Sequence, residues 1–496
     1  METTLLRRFA RSHFGALTCT CFCTAQVTAR SARLLSALPF RSQRLISSTP
    51  QPPPPPTTQS NRLGRPLIAL GIETSCDDTC AAIVTSDRRI LSEVLRTQHH
   101  LHEPMGGIVP KLAHHAHMRH LPEVVQEAIQ KAGLGERGGI QEIDLIAVTR
   151  GPGLAHSLGV GLNAAKTLAA ALNKPLIGVH HMEAHALTAR LTTENPSLAK
   201  DHSAPPLGDA SARLLGSDPY PLFPFLTLLV SGGHTLLLIA HSVNRYTTLA
   251  NTVDDSIGEA FDKSARELEI PWLPGRAGGP GASLEAFAKG SQNPTRYLDR
   301  LPIPMSLRSS KQEMKFSFAG LKSALARIVL QEKAAGILDE QRRMDLAAGF
   351  QHCAVTHLCQ KVEQGLYTCH ARGIQISSLV ISGGVGRNAT LRAKMEELCQ
   401  KYEDDISKPN KEKMHGSLKS PTIPELQPAS SLSSVDRQSV RVICPPPKLC
   451  TDNAVMIAWT GLERFKEGLV DPYDIDIVPK WPLDLLGTGI VPESLL

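Results

Sequence analysis

From residue 67 onward the chain alternates short apolar runs with stretches of helical period, and no other feature restricts its fold as strongly. Runs at 67–73, 81–85, 145–149, 176–179, 225–230, 236–240, 379–382 and 440–444 have the length and apolar content of buried strands. Segments such as 157–173, 258–269, 342–365, 389–402 and 453–467 carry helical spacing instead. Strands and helices in alternation predict an α/β protein. Two stretches break the pattern. Residues 194–220 and 404–438 are rich in Ser, Pro, Lys and Asp without apolar periodicity, and read as flexible surface insertions. No internal sequence repeat is evident.

The N-terminal segment has a different composition. Residues 1–47 hold Arg7, Arg8, Arg11, Arg30, Arg33, Arg41 and Arg44 against one acid, Glu2, among many Ser, Thr, Ala and Leu. That is the composition of a mitochondrial transit peptide and predicts a matrix location. This segment alone accounts for the formal charge of +6, so the remainder is neutral and offers no global attraction to nucleic acid. Pro52 to Pro56 form a polyproline linker. Eleven cysteines in 496 residues are too sparse for a disulfide framework and read as reduced thiols. No apolar run approaches the ~20 residues of a membrane span, so no membrane insertion is expected.

Three glycine-rich turns follow strands. Gly71-Ile72-Glu73-Thr74-Ser75-Cys76-Asp77-Asp78-Thr79 ends a strand in small and acidic residues, offering backbone N–H groups to a phosphate and carboxylates to a metal or its waters. Val230-Ser231-Gly232-Gly233-His234-Thr235 joins two strands through a turn that lets a ligand approach the backbone. Ser382-Gly383-Gly384-Val385-Gly386-Arg387-Asn388-Ala389 passes from strand to helix, where N–H groups and the helix dipole favour an anion or a nucleotide edge.

In His180-His181-Met182-Glu183-Ala184-His185, His181 and His185 are four apart and share one helical face, able to meet at one metal. Glu183 falls on another face and does not directly follow the first histidine, unlike the glutamate of a zinc-protease helix. Two histidines alone more often serve a hydrogen-bonded structural role. A carboxylate in Thr451-Asp452-Asn453 would complete a two-His, one-carboxylate set with open positions, as catalytic metals use. The histidines at 99, 100, 102, 114, 115, 117 and 120, and the group His352, Cys353, His357 and Cys359, lack a ligand spacing and read as structural. Phe316-Ser317-Phe318-Ala319-Gly320-Leu321-Lys322 lies in a basic stretch with Arg296, Arg300, Arg308, Lys311, Lys315 and Arg327, which suits either a phosphate backbone or a solvated helix face.

Together and in this order, these motifs and the G-P-G-L at 151–154 and G-E-A-F-D-K at 258–263 resemble the tRNA N6-adenosine threonylcarbamoyltransferases, in their mitochondrial form. The resemblance spans roughly residues 67–482. It implies the duplicated α/β fold of the actin, sugar-kinase and chaperone ATPase superfamily, two domains flanking a nucleotide cleft. The expected divisions are a transit peptide (1–47), a linker (48–66), a first domain (67–193), an insertion (194–220), a second domain (221–403), an insertion (404–438), a strand and helix returning to the first domain (439–482) and a tail (483–496). The implied activity moves a threonylcarbamoyl group from threonylcarbamoyl-AMP to N6 of the adenosine beside the anticodon in tRNAs reading codons that begin with A. The resemblance places one divalent metal per subunit, iron or zinc, on His181, His185 and Asp452. It places contacts to the intermediate on Leu229, Val230, Ser231, Gly232, Gly233, Asp262 and Asn388. It adds either Gly279 or Gly281, the latter with Glu285. It also implies a homodimer, a mitochondrial tRNA anticodon loop as acceptor, and an upstream threonylcarbamoyl-AMP synthase. The chain departs from the family at Lys111-Leu112-Ala113-His114-His115, where an acidic residue and an Arg are common.

No general base is evident, so the expected catalysis is positioning and electrostatic stabilisation. A small-molecule kinase or ATPase of the same superfamily would use the glycine turns for ATP and Asp77 or Asp78 near magnesium, leaving the histidine pair unexplained. A metallopeptidase would need the adjacent glutamate. A non-catalytic scaffold would need no metal set.

Overall fold

The computed structural model describes residues 65–105, 107–135, 138–194, 219–271, 279–304, 314–406 and 439–488. The expected transit peptide and most of the linker, the bulk of both insertions and the end of the tail lie outside the described residues, as do Arg308 and Lys311.

Two sheets organise the chain. The first comprises β1 (Ile68–Glu73), β2 (Asp78–Thr85), β3 (Ile90–Thr97), β4 (Leu145–Gly151) and β5 (Leu176–His180), in the order β3-β2-β1-β4-β5. β1 and β2, then β2 and β3, run antiparallel, while β4 and β5 join in parallel. The second contains β6 (Phe225–Val230), β7 (Thr235–Ser242), β8 (Arg245–Thr252), β9 (Lys315–Phe316), β10 (Ser378–Ser382) and β11 (Arg441–Ile443), in the order β11-β10-β6-β7-β8-β9. β6, β7 and β8 again form an antiparallel meander, and β10 and β11 again add in parallel beside the first strand of that meander. The same five-strand plan therefore occurs twice, although the sequence carries no visible repeat.

The helices fill the spaces around these sheets. α1 (Pro110–Lys131) and α2 (Ala155–Leu172) cover the outer face of the first sheet. α4 (Ile257–Glu267), α5 (Gly279–Ala288), α6 (Ala319–Ala334), α7 (Glu340–Ala371) and α8 (Ala389–Ile406) cover the outer face of the second. Between the sheets lie α3 (His181–Thr192) and α9 (Ala454–Lys466), whose apolar residues share one cluster with inward-facing side chains of both sheets. With helices on both faces, β1, β6 and β10 are buried almost throughout and have no solvent side to alternate toward.

α3 and α9 are locked in register by two buried ion pairs, Glu183 to Arg464 at 3.2 Å and Arg190 to Glu463 at 2.9 Å. Burial raises Glu183 to about 7 in spite of Arg464, and raises Glu463 in spite of Arg190. The pairs therefore fix geometry more than they add stability.

Where sequence and structure differ, the reasons are local. β3 and β8 do not read as strands because half of their side chains are polar and exposed or half-exposed. The strand at 441–443 does not return to the first domain, as had been expected for 439–482. It pairs in parallel with β10, with Val440 and Val442 on the outer core of the second lobe, and the chain crosses back to the first lobe with α9. Chain 469–488 then spans both lobes: Asp471 bridges Leu176, Val478 N–H donates to Arg150 O, and Asp484 accepts from Thr248 N–H in β8.

α9 reaches the first sheet through glycine. A Cβ on Gly71 of β1 would lie 2.3 Å from Ala454 O and 2.6 Å from Ala458 N, both backbone atoms of α9. Gly159 of α2, by contrast, has nothing within 4 Å of such a Cβ. Gly71→Ala should therefore destabilise the full chain by roughly 1–3 kcal/mol or more, whereas Gly159→Ala should be neutral or gain up to about 1 kcal/mol. Urea denaturation of the two variants checks this, and equal midpoints would refute the close approach.

Candidate metal centre and cleft

β5 ends at His180 and α3 begins at the next residue, so the strand-to-helix junction itself aims the histidines. His180 is the cap: its Nδ1 accepts from Met182 N–H at 3.1 Å while its Nε2–H donates to Trp481 O at 2.9 Å. Burial lowers it to about 3, and it is a neutral structural histidine. His181 and His185 follow on the same face of α3, their rings 4.8 Å apart and nearly perpendicular.

Asp452 comes from the opposite end of the chain. Asn453 caps α9, its side chain accepting from Met456 N–H at 2.9 Å, and this sets Asp452 just before the first turn. Asp452 Oδ1 lies 3.3 Å from His181 Nε2 and 3.2 Å from His185 Nε2. One ligand atom from each of the three residues falls within 4.8 Å of the others, and among the described residues this is the only His, Cys, Asp and Glu group that meets that criterion.

Behind His181 stands Glu73, the last residue of β1. Its Oε2 is 3.0 Å from His181 Nδ1. The Thr149 hydroxyl and the Ser75 N–H also donate to it. A carboxylate on the far nitrogen of a histidine orients the ring and makes it a stronger ligand. The sequence reading did not single out Glu73, yet it is the only charged residue in the otherwise apolar run IALGIE.

The charges are unequal. Burial opposes a charged His181, but Asp452 and Glu73 outweigh it and raise the imidazole to about 10. Burial wins at His185, which is lowered although it faces Asp452. Asp452 is held well below the usual carboxylate range, because His181 and His185 outweigh its burial. His185 Nδ1 is buried without a hydrogen-bond partner. Two imidazole Nε2 atoms converging on the Asp452 carboxylate, with the Glu73 carboxylate behind His181, fit a bound divalent ion.

Next to this cluster lies a cleft of ≈ 340 Å³, lined by Gly232, Gly258, Phe261, Asp262, Gly281, Ala282, Glu285, Ala286, Lys289, Gly384, Val385, Arg387 and Asn388. All belong to the second lobe. The link to the histidines runs through Thr451, whose Cγ2 lies 3.9 Å from where a Cβ of Gly384 would sit, and through His234, lowered to about 4 by burial and by His181 and His185. Gly383 has φ +94°, and a Cβ there would lie 2.4 Å from Val230 O, so only glycine lets the third turn close against the second.

The expected contacts divide. Gly232, Asp262, Gly281, Glu285 and Asn388 line the cleft, and Gly279 does not. Leu229 and Val230 are buried strand residues with side chains in the two cores. The Ser231 hydroxyl closes its own turn by accepting from His234 N–H at 3.1 Å, and Gly233 does not line the cleft. Asp262 accepts from Gly281 N–H at 2.7 Å, and burial, opposed by that bond, raises it to about 6. Glu285 Oε1 accepts from Ala389 N–H at 3.0 Å across the cleft.

Two sequence alternatives weaken here, and the structural reading of one histidine is met. Glu183, in its ion pair with Arg464, faces away from the histidines and cannot act as a peptidase base. In the basic stretch, Arg296 pairs with Asp345, Arg300 with Glu332 and Lys322 with Asp255, which neutralises much of the patch. Among the many other histidines, His117 is a structural tie: it bonds Thr79 Oγ1 at 2.8 Å and donates to Cys76 O at 3.0 Å, holding the first glycine-motif turn.

Comparison with known proteins bears on the chain as a whole. The model of the TsaD family, described as tRNA N6-adenosine threonylcarbamoyltransferase, matches residues 89–204 and 210–417. A probable mitochondrial tRNA N6-adenosine threonylcarbamoyltransferase of Arabidopsis thaliana is 37% identical over 435 residues, covering 84% of this chain and 75% of its own. A tRNA N6-adenosine threonylcarbamoyltransferase of Zymomonas mobilis is 36% identical over 417 residues, covering 84% and 92% respectively. Among solved structures, component A of the Acidaminococcus fermentans (R)-2-hydroxyglutaryl-CoA dehydratase covers 81% of this chain and 99% of its own at 12% identity and a TM-score of 0.39, too distant to bear on the assignment. Because identity of this level runs through both lobes and is not confined to one motif, the chain belongs to the tRNA N6-adenosine threonylcarbamoyltransferase family.

Proposed function

We propose that this chain transfers the threonylcarbamoyl group of threonylcarbamoyl-AMP to N6 of adenosine 37, next to the anticodon, in mitochondrial tRNAs that read codons beginning with A. The observation that carries the reading is the His181, His185 and Asp452 cluster beside a cleft walled by two glycine turns, in a member of this family. Location in the mitochondrial matrix is supported by the arginine-rich, acid-poor residues 1–47 and by the mitochondrial relative. Among the described residues no helix is long and apolar enough to cross a membrane. A synthase upstream supplies the intermediate. Exposed Ile108 and Met118, just before and on α1, offer apolar surface to a second copy and favour a homodimer.

In the reaction the N6 amine attacks the carbamoyl carbon of the mixed anhydride. The new C–N bond forms, the bond to the phosphate oxygen breaks, AMP departs and the amine proton passes to solvent. His181, His185 and Asp452 would hold the metal, with Glu73 orienting His181. A bound divalent ion, iron or zinc, would supply electrophilic stabilisation of the negative charge that develops. The turn at Gly232 and Gly384 brings backbone N–H groups close to the phosphate side. Asp262 and Glu285 accept hydroxyl hydrogen bonds, and Asn388 offers an amide to sugar or base. No side chain is placed as a general base, so rate comes from position and electrostatics.

Deleting the gene should abolish threonylcarbamoyladenosine in mitochondrial tRNA, read by mass spectrometry of nucleosides; an unchanged level would reject the proposal. His181→Ala should abolish transfer while the protein stays folded, and Glu73→Gln should weaken metal retention by roughly 10–100-fold. Metal content after dialysis measures the second, and full activity of metal-free protein would refute the metal assignment. Because Asp262 ionises only above about 6, its acceptor strength is complete above that pH and lost below it. The KM for the intermediate should therefore rise as pH falls through 6, and Asp262→Asn should flatten that profile.

A further inference from the structure

Asn388 is held from behind by a residue that does not itself line the cleft. Gln351 is buried on α7, and its Oε1 accepts from Asn388 Nδ2 at 2.9 Å. Its Nε2 donates to Thr390 Oγ1 at 3.1 Å, while Asn388 Oδ1 accepts from Leu391 N–H at 2.9 Å to cap α8. An amide side chain has two orientations that differ by a flip, and these bonds select one. Leu391 N–H requires an oxygen at Asn388, and Gln351 Oε1 requires an N–H. A flipped Gln351 would set two N–H groups against each other. Asn388 keeps one N–H and one lone pair for a ligand.

We infer that Gln351 is a positioning residue that fixes the orientation in which Asn388 meets the intermediate. The inference rests on the reading of Asn388 as an intermediate contact. Without the Gln351 acceptor, the buried Asn388 N–H lacks a partner and turns toward the cleft, where it competes with the geometry the ligand needs. A purely structural tie between α7 and α8 makes a different forecast: lower stability, kcat and KM changing together, and no rescue by an acceptor-retaining variant.

Steady-state kinetics of the full chain with threonylcarbamoyl-AMP and tRNA separate the two. Gln351→Leu should raise the KM for threonylcarbamoyl-AMP about tenfold with kcat within about twofold and the KM for tRNA unchanged. Gln351→Glu keeps the acceptor and should restore the KM to within about threefold of the parent. Gln351→Leu added to Asn388→Ala should cost nothing beyond Asn388→Ala alone. If Asn388→Ala raises the KM and Gln351→Leu does not, or if both glutamine variants lose kcat in step with stability, the positioning role is overturned. If Asn388→Ala itself leaves the KM unchanged, the ligand reading of Asn388 fails, and the inference with it, in a way the first outcome does not mimic. Should Gln351→Leu not fold, Thr390→Val decides: it releases only the anchor of Gln351, and a raised KM supports the role while an unchanged one overturns it.

Discussion

The contact of helix α9 with the first sheet, backbone against backbone at Gly71, is the constraint on which the rest depends. About one turn further along the same face of that helix the close approach is repeated, since a Cβ on Gly461 would lie 2.4 Å from the Cβ of Ala147 in β4. Interiors are close-packed, so a single added methyl group at such a point displaces a whole helix and not one side chain. α9 carries Asp452 before its first turn, and α3 is tied to it by the two buried ion pairs. Moving α9 away from the sheet would thus move the carboxylate, and the register of the histidine helix, at the same time. The metal cluster is a consequence of how closely one helix lies on one sheet.

That dependence explains why the cluster joins parts of the chain so far apart. Glu73 ends the first strand, His181 and His185 open the helix after the fifth, and Asp452 precedes the last long helix. In an α/β fold, strand ends and helix starts gather on one edge of the sheet, and ligands settle there. The duplicated topology supplies a second such edge in the second lobe, where the turns at Gly232 and Gly384 lie. The two edges come closest where Gly384 faces Thr451, one residue before Asp452, with a Cβ on Gly384 placed 3.9 Å from Thr451 Cγ2. The first lobe and α9 contribute charge to this junction, and the second lobe contributes the walls that receive a ligand.

Much of this was legible in the sequence for identifiable reasons. The buried strands β1, β6 and β10 read clearly because both faces are covered, which leaves uninterrupted apolar runs. The histidine pair read clearly because spacing of four on a helix is a local property. Glu73 read only as one carboxylate of the first motif and not as the partner of His181, because that partner lies 108 positions away and no local spacing encodes such a distance. The duplication was hidden because topology constrains which positions are apolar, not which residues fill them. The basic stretch stayed open between two readings for a related reason: sequence shows Arg296, Arg300 and Lys322 together, but folding brings Asp345, Glu332 and Asp255 to them from other elements.

The segment after α9 completes the argument about lobe geometry. It leaves the first sheet beside Leu176, passes Arg150, presents Trp481 O to the cap histidine of α3, and reaches the second sheet at Thr248. His180 therefore reads the position of this strap through its Nε2–H while its Nδ1 holds the first turn of the helix that bears the metal histidines. A neutral imidazole can do both only as the single tautomer with the proton on Nε2, and burial, by keeping it neutral, enforces that condition. The helix between the sheets, the strap around them and the cluster at their common edge are in this way one mechanical unit, and the cleft of the second lobe faces it across Gly384 and Thr451.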